Sequence, residues 1–186
     1  MVYIRQAAMN DIPPSCNFLS HPEEVPIDYT NYEADTSFQA YIVSRHQLVY
    51  VAEDRGTGGV VGYVVAKMQL GRRGYISYMH VIPTHRKQGI EKKLMTAVEN
   101  AMVQEYGSEY VSLHVCYTNE AAVHFFLKKL GYKHQRIATK FYFGFEFGED
   151  VVVLGKQLNG KRTNRLGHGF FLPIIGKLKR YFDKST

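Results

Sequence analysis

Apolar and polar residues alternate over Val2–Gln6, which predicts a first strand. Leu48–Glu53 and Val60–Leu70, dominated by Val, Ile and Tyr, flank the turn residues Asp54–Gly59 and predict a β-hairpin. Asn10 is placed to cap a helix with Ile12 in its first turn, confined by Pro13 and Pro14; Glu33–Arg45 predicts a second helix. Tyr75–Ile82 predicts the next strand. In Gln88–Tyr106 the period changes to 3.6: Ile90, Leu94, Ala97, Val98, Ala101 and Met102 fall on one helical stripe. Tyr110–Cys116 predicts a buried strand, and Asn119 opens a helix through Leu130 that Gly131 ends. Lys140–Phe147 and Asp150–Gln157 predict two last strands around Gly148. The order β-α-α-β-β-β-α-β-α-β-β describes a mixed α+β layer fold of about seven strands and about four helices.

The 186 residues suit one domain, residues 1–158, followed by a tail, 159–186, with Asn159–Gly160 marking the boundary. A hydrophobic content of 45% supports a sizeable core. Cys16 and Cys116 are far apart, with no metal-ligand spacing, so no disulfide scaffold, metal site or oxidising compartment is expected. No apolar leader or membrane-length run stands out, which points to a cytosolic protein.

Charge changes the picture of the tail alone. The net charge is +6, yet residues 1–160 balance; residues 161–186 carry seven Lys and Arg against Asp183. Phe171, Ile174, Ile175, Leu178 and Phe182 fall on one helical face, with Lys177, Arg180 and Lys184 away from it. A short basic amphipathic helix suits an anionic membrane, ribosomal RNA or a partner subunit, or packs on its own domain. No sequence-specific DNA binding is expected.

The candidate chemistry lies between strand and helix. His85–Met95 runs from a proline-ended strand through a basic turn and Gly89 into the long helix. A basic turn that presents backbone N–H groups at a helix start suits an anionic diphosphate. The turn resembles the Arg/Gln-x-x-Gly-x-Gly/Ala signature of the GNAT acyltransferases. Val60–Met68, Lys93-Leu-Met95, Tyr110–Val115 and Asn119–Ala122 extend that resemblance to the catalytic-subunit branch of the NatA type, over about residues 2–158.

The resemblance implies a GNAT fold and transfer of acetyl from acetyl-CoA to the α-amine of protein N-termini, by direct attack in a ternary complex. It further implies small first residues, co-translational action in the cytoplasm at the ribosome, and a large helical-repeat auxiliary subunit. Other acceptors, namely lysine side chains or small amines, and a non-catalytic acyl-CoA-binding or docking module are the alternatives.

By the same resemblance, Met79 and Val81 hold pantetheine, and Arg86, Lys87, Gln88, Gly89, Ile90 and Glu91 wrap the pyrophosphate. Asn119 and Phe126 complete the cosubstrate side; no metal is implied. Glu23, Tyr75 and His114 are the implied catalytic residues, and His21, Val25, Phe141 and Tyr142 line the peptide groove. A histidine suits proton removal because its pKa of about 6.5 lies near working pH. Three residues depart from the family pattern: Glu91 replaces a small residue, Phe126 a tyrosine that protonates the leaving thiol, and Cys116 a position commonly basic.

Overall fold

The computed structural model describes residues 1–11, 40–139 and 150–158. Strands β1 (Val2–Gln6), β2 (Gln47–Asp54), β3 (Val60–Gln69), β4 (Arg73–Val81), β5 (Tyr110–Cys116), β6 (Lys133–Ala138) and β7 (Val151–Gln157) form one sheet. Its order is β1-β2-β3-β4-β5-β7-β6. Every neighbouring pair is antiparallel except β4 with β5, which are parallel. The mixed seven-stranded sheet expected from the sequence is therefore present.

Helix α1 (Ile90–Tyr106) forms the β4-to-β5 crossover, as a parallel pair requires. Its stripe lands on one face of the sheet: Ile90, Leu94, Met95, Val98 and Met102 are buried against Leu48, Val64, Ile76, Val111 and Leu113. Ala97 is only half-buried, and Met95 takes its place in the core. Each large side chain so buried contributes roughly 1.5–3 kcal/mol. At the C-terminal end Gly107 donates to the Val103 carbonyl and Ser108 to that of Met102, satisfying two carbonyls the helix leaves open. The opposite face of the sheet holds a smaller cluster of Val49, Val51, Tyr63 and Val65 with Tyr41, Ile42 and Tyr78.

Helix α2 (Glu120–His124) begins as expected, with Ala122 N–H donating to the Asn119 side chain at 3.1 Å. It then widens into a π-helical turn, Phe125–Lys129, and Tyr132 N–H closes on the Phe126 carbonyl.

One strand was not expected. β6 occupies Lys133–Ala138, and its exposed, polar edge position explains why no apolar alternation announces it. Of the two last predicted strands, Asp150–Gln157 corresponds to β7, while Lys140–Phe147 lies outside the described residues. The helix after Asn10, most of Glu33–Arg45 and the tail lie outside them too; residues 40–43 are helical.

Candidate active site

The site is built on the one parallel pair. β4 and β5 are hydrogen-bonded neighbours only from Arg73↔Tyr110 to Ile76↔Leu113. Beyond that point β4 stays paired with β3, and β5 with β7, so a wedge opens between them. A bulge sits at its root: Val65 faces Tyr78 and Ala66 faces Ile76, leaving Ser77 as the extra residue. Ile82 N–H donates to the Val61 carbonyl on β3. Strand alternation then turns the N–H groups of Val81 and Met79 the other way, into the wedge. These two are the positions that the family resemblance assigns to pantetheine.

At the wide end of the wedge, a 3₁₀ turn (Pro83–His85) leads to the start of α1. Arg86 Nε donates to the Val81 carbonyl at 2.8 Å, folding the basic turn back over the end of β4. Gln88 Nε2 donates to the Thr84 carbonyl at 3.2 Å. Lys87 and Gly89 both have left-handed backbone, φ 62° and 77°. No atom lies within 4 Å of where a Gly89 Cβ would stand, so conformation rather than space favours glycine there. No side chain caps α1; its first intrahelical bond runs from Lys93 N–H to the Gly89 carbonyl. The N–H groups of Ile90, Glu91 and Lys92 therefore lack intrahelical partners, at the positive end of the helix dipole. An uncapped start, a left-handed turn and the basic pair Arg86 and Lys87 together fit a diphosphate. Glu91, in the first turn, is the opposing charge.

At the narrow end, His114 of β5 and Tyr75 of β4 meet on the sheet face opposite α1. Nδ1 of His114 lies 2.8 Å from the Tyr75 hydroxyl. Burial lowers the His114 pKa from its ordinary 6.5, and the positive charge of Arg136 lowers it further. The imidazole is accordingly neutral at pH 7. In the tautomer whose Nδ1–H donates to Tyr75, Nε2 is the proton acceptor.

Other sequence-predicted residues are placed differently. Asn119 spends its carbonyl oxygen on the α2 cap. Phe126 is 5% exposed, with Phe125 and Tyr132 edge-on at 5.4 Å, so its ring belongs to the core beneath the site. Cys116 Sγ is 3.0 Å from the Thr118 hydroxyl. Glu23, His21, Val25, Phe141 and Tyr142 lie outside the described residues.

Two features were missed by the sequence reading. Glu99, on the buried side of α1, accepts from the Tyr132 hydroxyl at 2.8 Å and from Lys156 Nζ at 2.6 Å. A carboxylate beside the apolar stripe was the signal for it. A pocket of about 600 Å³ also adjoins Tyr75 and His114, with Arg73 and Arg136 in its wall. No local pattern announces that pair, because sheet order alone brings β4 and β6 to one pocket.

Residues 8–132 match the model of the acetyltransferase (GNAT) family. The catalytic subunit of the N-terminal acetyltransferase A complex of Arabidopsis thaliana is 41% identical over 169 residues, 88% of this chain and 82% of that protein. The corresponding subunit of Schizosaccharomyces pombe is 35% identical, over 84% of this chain and 85% of its own. Among solved structures, Arabidopsis thaliana NAA60 with a bisubstrate analogue superposes with a TM-score of 0.67 at 24% identity, covering 84% of this chain and 98% of that one. NAA60 with acetyl-CoA gives 0.65 at 22% identity, covering 86% and 100%. At such identities these two structures speak for the fold. With the family model spanning most of the chain and relatives of this similarity, the chain belongs to the GNAT acetyltransferase family, among the catalytic subunits of the NatA type.

Proposed function

We propose that this chain transfers the acetyl group of acetyl-CoA to the free α-amino group of protein N-termini. The observation that carries this reading is the Tyr75–His114 contact at the root of the wedge, with the N–H groups of Met79 and Val81 turned into the same wedge further along β4. Pantetheine adds to β4 like an extra strand end, and its diphosphate meets the Arg86–Glu91 turn.

The amine attacks the thioester carbonyl directly. A C–N bond forms, the C–S bond breaks, and the amine proton passes through water to His114, with Tyr75 orienting the imidazole. An α-amine of pKa about 7.7–8.0 is partly neutral at physiological pH, so positioning and a modest base suffice. The buried Phe126 has no proton to give. A thiol of pKa about 8.5 leaves as thiolate without one. By the family resemblance, Glu23 is the residue expected to organise the amine, and His21, Val25, Phe141 and Tyr142 are those expected to contact the first residues; all five lie outside the described residues. The preferred N-termini are small residues, and the protein works in the cytoplasm at the ribosome with a helical-repeat auxiliary subunit. The relatives' names, which specify a catalytic subunit of the N-terminal acetyltransferase A complex, support N-terminal acetylation within a complex.

Acetyl transfer to peptides with free or blocked α-amines, each also carrying a lysine, tests it. Free peptides are expected to be acetylated, and blocked ones to be inert. Equal rates on both would redirect the assignment to lysine side chains. Acetyl-CoA binding without any turnover would redirect it to a non-catalytic module.

A further inference from the structure

The pocket beside Tyr75 and His114 has walls of one sign. Arg73, Arg136, Gln69, Gln135, Tyr110 and Ser112 line it, and no described lining residue is acidic. The Arg73 guanidinium lies 4.8 Å over the Tyr110 ring. Tyr110 is itself fixed: its hydroxyl lies against Gly155, where any Cβ would overlap it. Arg73 thus stacks on an aromatic platform while remaining exposed to solvent. Arg136 enters from β6 on the far side, close enough for its charge to act on His114.

Neither arginine has a carboxylate partner among the described residues. Other arginines do: Arg72, next in sequence to Arg73, pairs with Glu109 at 2.7 Å, and Arg5 on β1 pairs with Asp11 and Glu53. Two guanidinium groups lining one concave space, with no carboxylate partner among the described residues, suit an anionic ligand.

The cosubstrate cannot supply it. Its diphosphate belongs at the α1 start, beyond Val81, whereas Arg73 opens β4 eight residues earlier. At about 3.3 Å per residue that separation is roughly 26 Å. The acceptor can. Tyr110, opposite Arg73, is four residues from His114 along β5, about 13 Å. An extended peptide with its amine at His114 covers that span in about four residues, fewer once the reach of both side chains is counted.

We propose that the Arg73–Arg136 pocket is a carboxylate subsite that selects N-termini with an acidic side chain at their third or fourth residue. This rests on the α-amine acetyltransferase reading and adds a specificity element to it. It also disfavours polyamine and lysine-rich acceptors, which would bring like charge to the arginines.

The test compares peptides with identical first two residues and Asp, Asn or Lys at positions three and four. For the wild type, kcat/KM is expected to favour Asp over Asn by about 5- to 10-fold at low ionic strength, as partly exposed charge-assisted contacts give. That preference should shrink at about 0.5 M salt. The double variant R73E/R136E should reverse the order in favour of Lys, a gain that misfolding cannot imitate. Asp and Asn peptides used within about two-fold of each other by the wild type, or an Asp preference that survives charge reversal, would overturn the subsite. Fluorescence anisotropy of the same labelled peptides separates the two readings. Asp-selective binding without acetylation would retain the subsite and remove the α-amine activity; acetylation without Asp selectivity would do the reverse.

Discussion

At His114 two influences push the same way. Burial is the larger and the charge of Arg136 the smaller, and both disfavour the imidazolium. The neutral imidazole is therefore the form present at pH 7 and is lost only as pH falls through a value below 6.5. Titration of the ring by NMR should give a midpoint under the ordinary histidine value, moving upward in Arg136→Gln as one of the two causes is removed. A wild-type midpoint at or above 6.5 would contradict this electrostatic account. His114→Ala should lower kcat by about 10²-fold or more, the usual weight of a positioned base. Glu91 is a residue with two opposed roles. In the first turn of α1 its charge favours the helix by about 0.3–1 kcal/mol, yet it repels a diphosphate at the same N–H groups. Glu91→Ala should lower the thermal midpoint slightly and tighten acetyl-CoA binding measured by calorimetry. Unchanged binding in that variant would show that the carboxylate points away from the diphosphate, and weaker binding that it supports the turn instead of repelling the ligand.

Among the elements, legibility in the sequence follows from who the neighbours are. β2, β3, β5 and β7 are internal strands whose Val, Ile and Leu runs reflect burial, and α1 shows a 3.6-residue stripe because one face meets the sheet. β6 is an edge strand reading Lys-His-Gln-Arg-Ile-Ala, and nothing in that string alternates. The bulge at Ser77 is equally silent, since it depends on the register of β3 and not on the residue itself. The candidate diphosphate site, turn plus glycine plus helix, is local and could be read. Tyr75 and His114 were legible only through the family resemblance, and the pocket that joins β4, β5 and β6 across the sheet was not legible at all. Glu99 shows the same limit: as a sequence position it is one polar residue near the stripe, but in the fold it ties α1 to Tyr132 and to Lys156 of β7. Glu99→Gln keeps an acceptor for the Tyr132 hydroxyl but leaves the Lys156 charge without its partner. Lys156 retains about a quarter of its side-chain exposure, so water offsets part of the loss. A destabilisation of about 1–3 kcal/mol is expected in urea unfolding, short of a fully buried pair. No change in midpoint would mean that the ion pair adds nothing beyond the hydrogen bond.

On the scale of the whole molecule, charge and fold part company. The sheet closes at its C-terminal strand when Leu158 N–H donates to the Glu109 carbonyl. Residues 1–160 are neutral, whereas residues 161–186 carry the entire net charge of +6. We therefore propose that folding and catalysis belong to the first part and that the basic tail serves docking on an anionic surface. Deleting residues 161–186 should leave the thermal midpoint within about 2 °C, less than the 2–4 °C that a loss of 1 kcal/mol produces in a chain of this size. Peptide acetylation should persist, while co-sedimentation with ribosomes or anionic vesicles weakens and its salt dependence flattens. A large fall in midpoint would instead make the tail part of the folded unit. Unchanged sedimentation would assign the docking charge to the neutral domain, whose cationic pocket and basic turn are then the surfaces to probe.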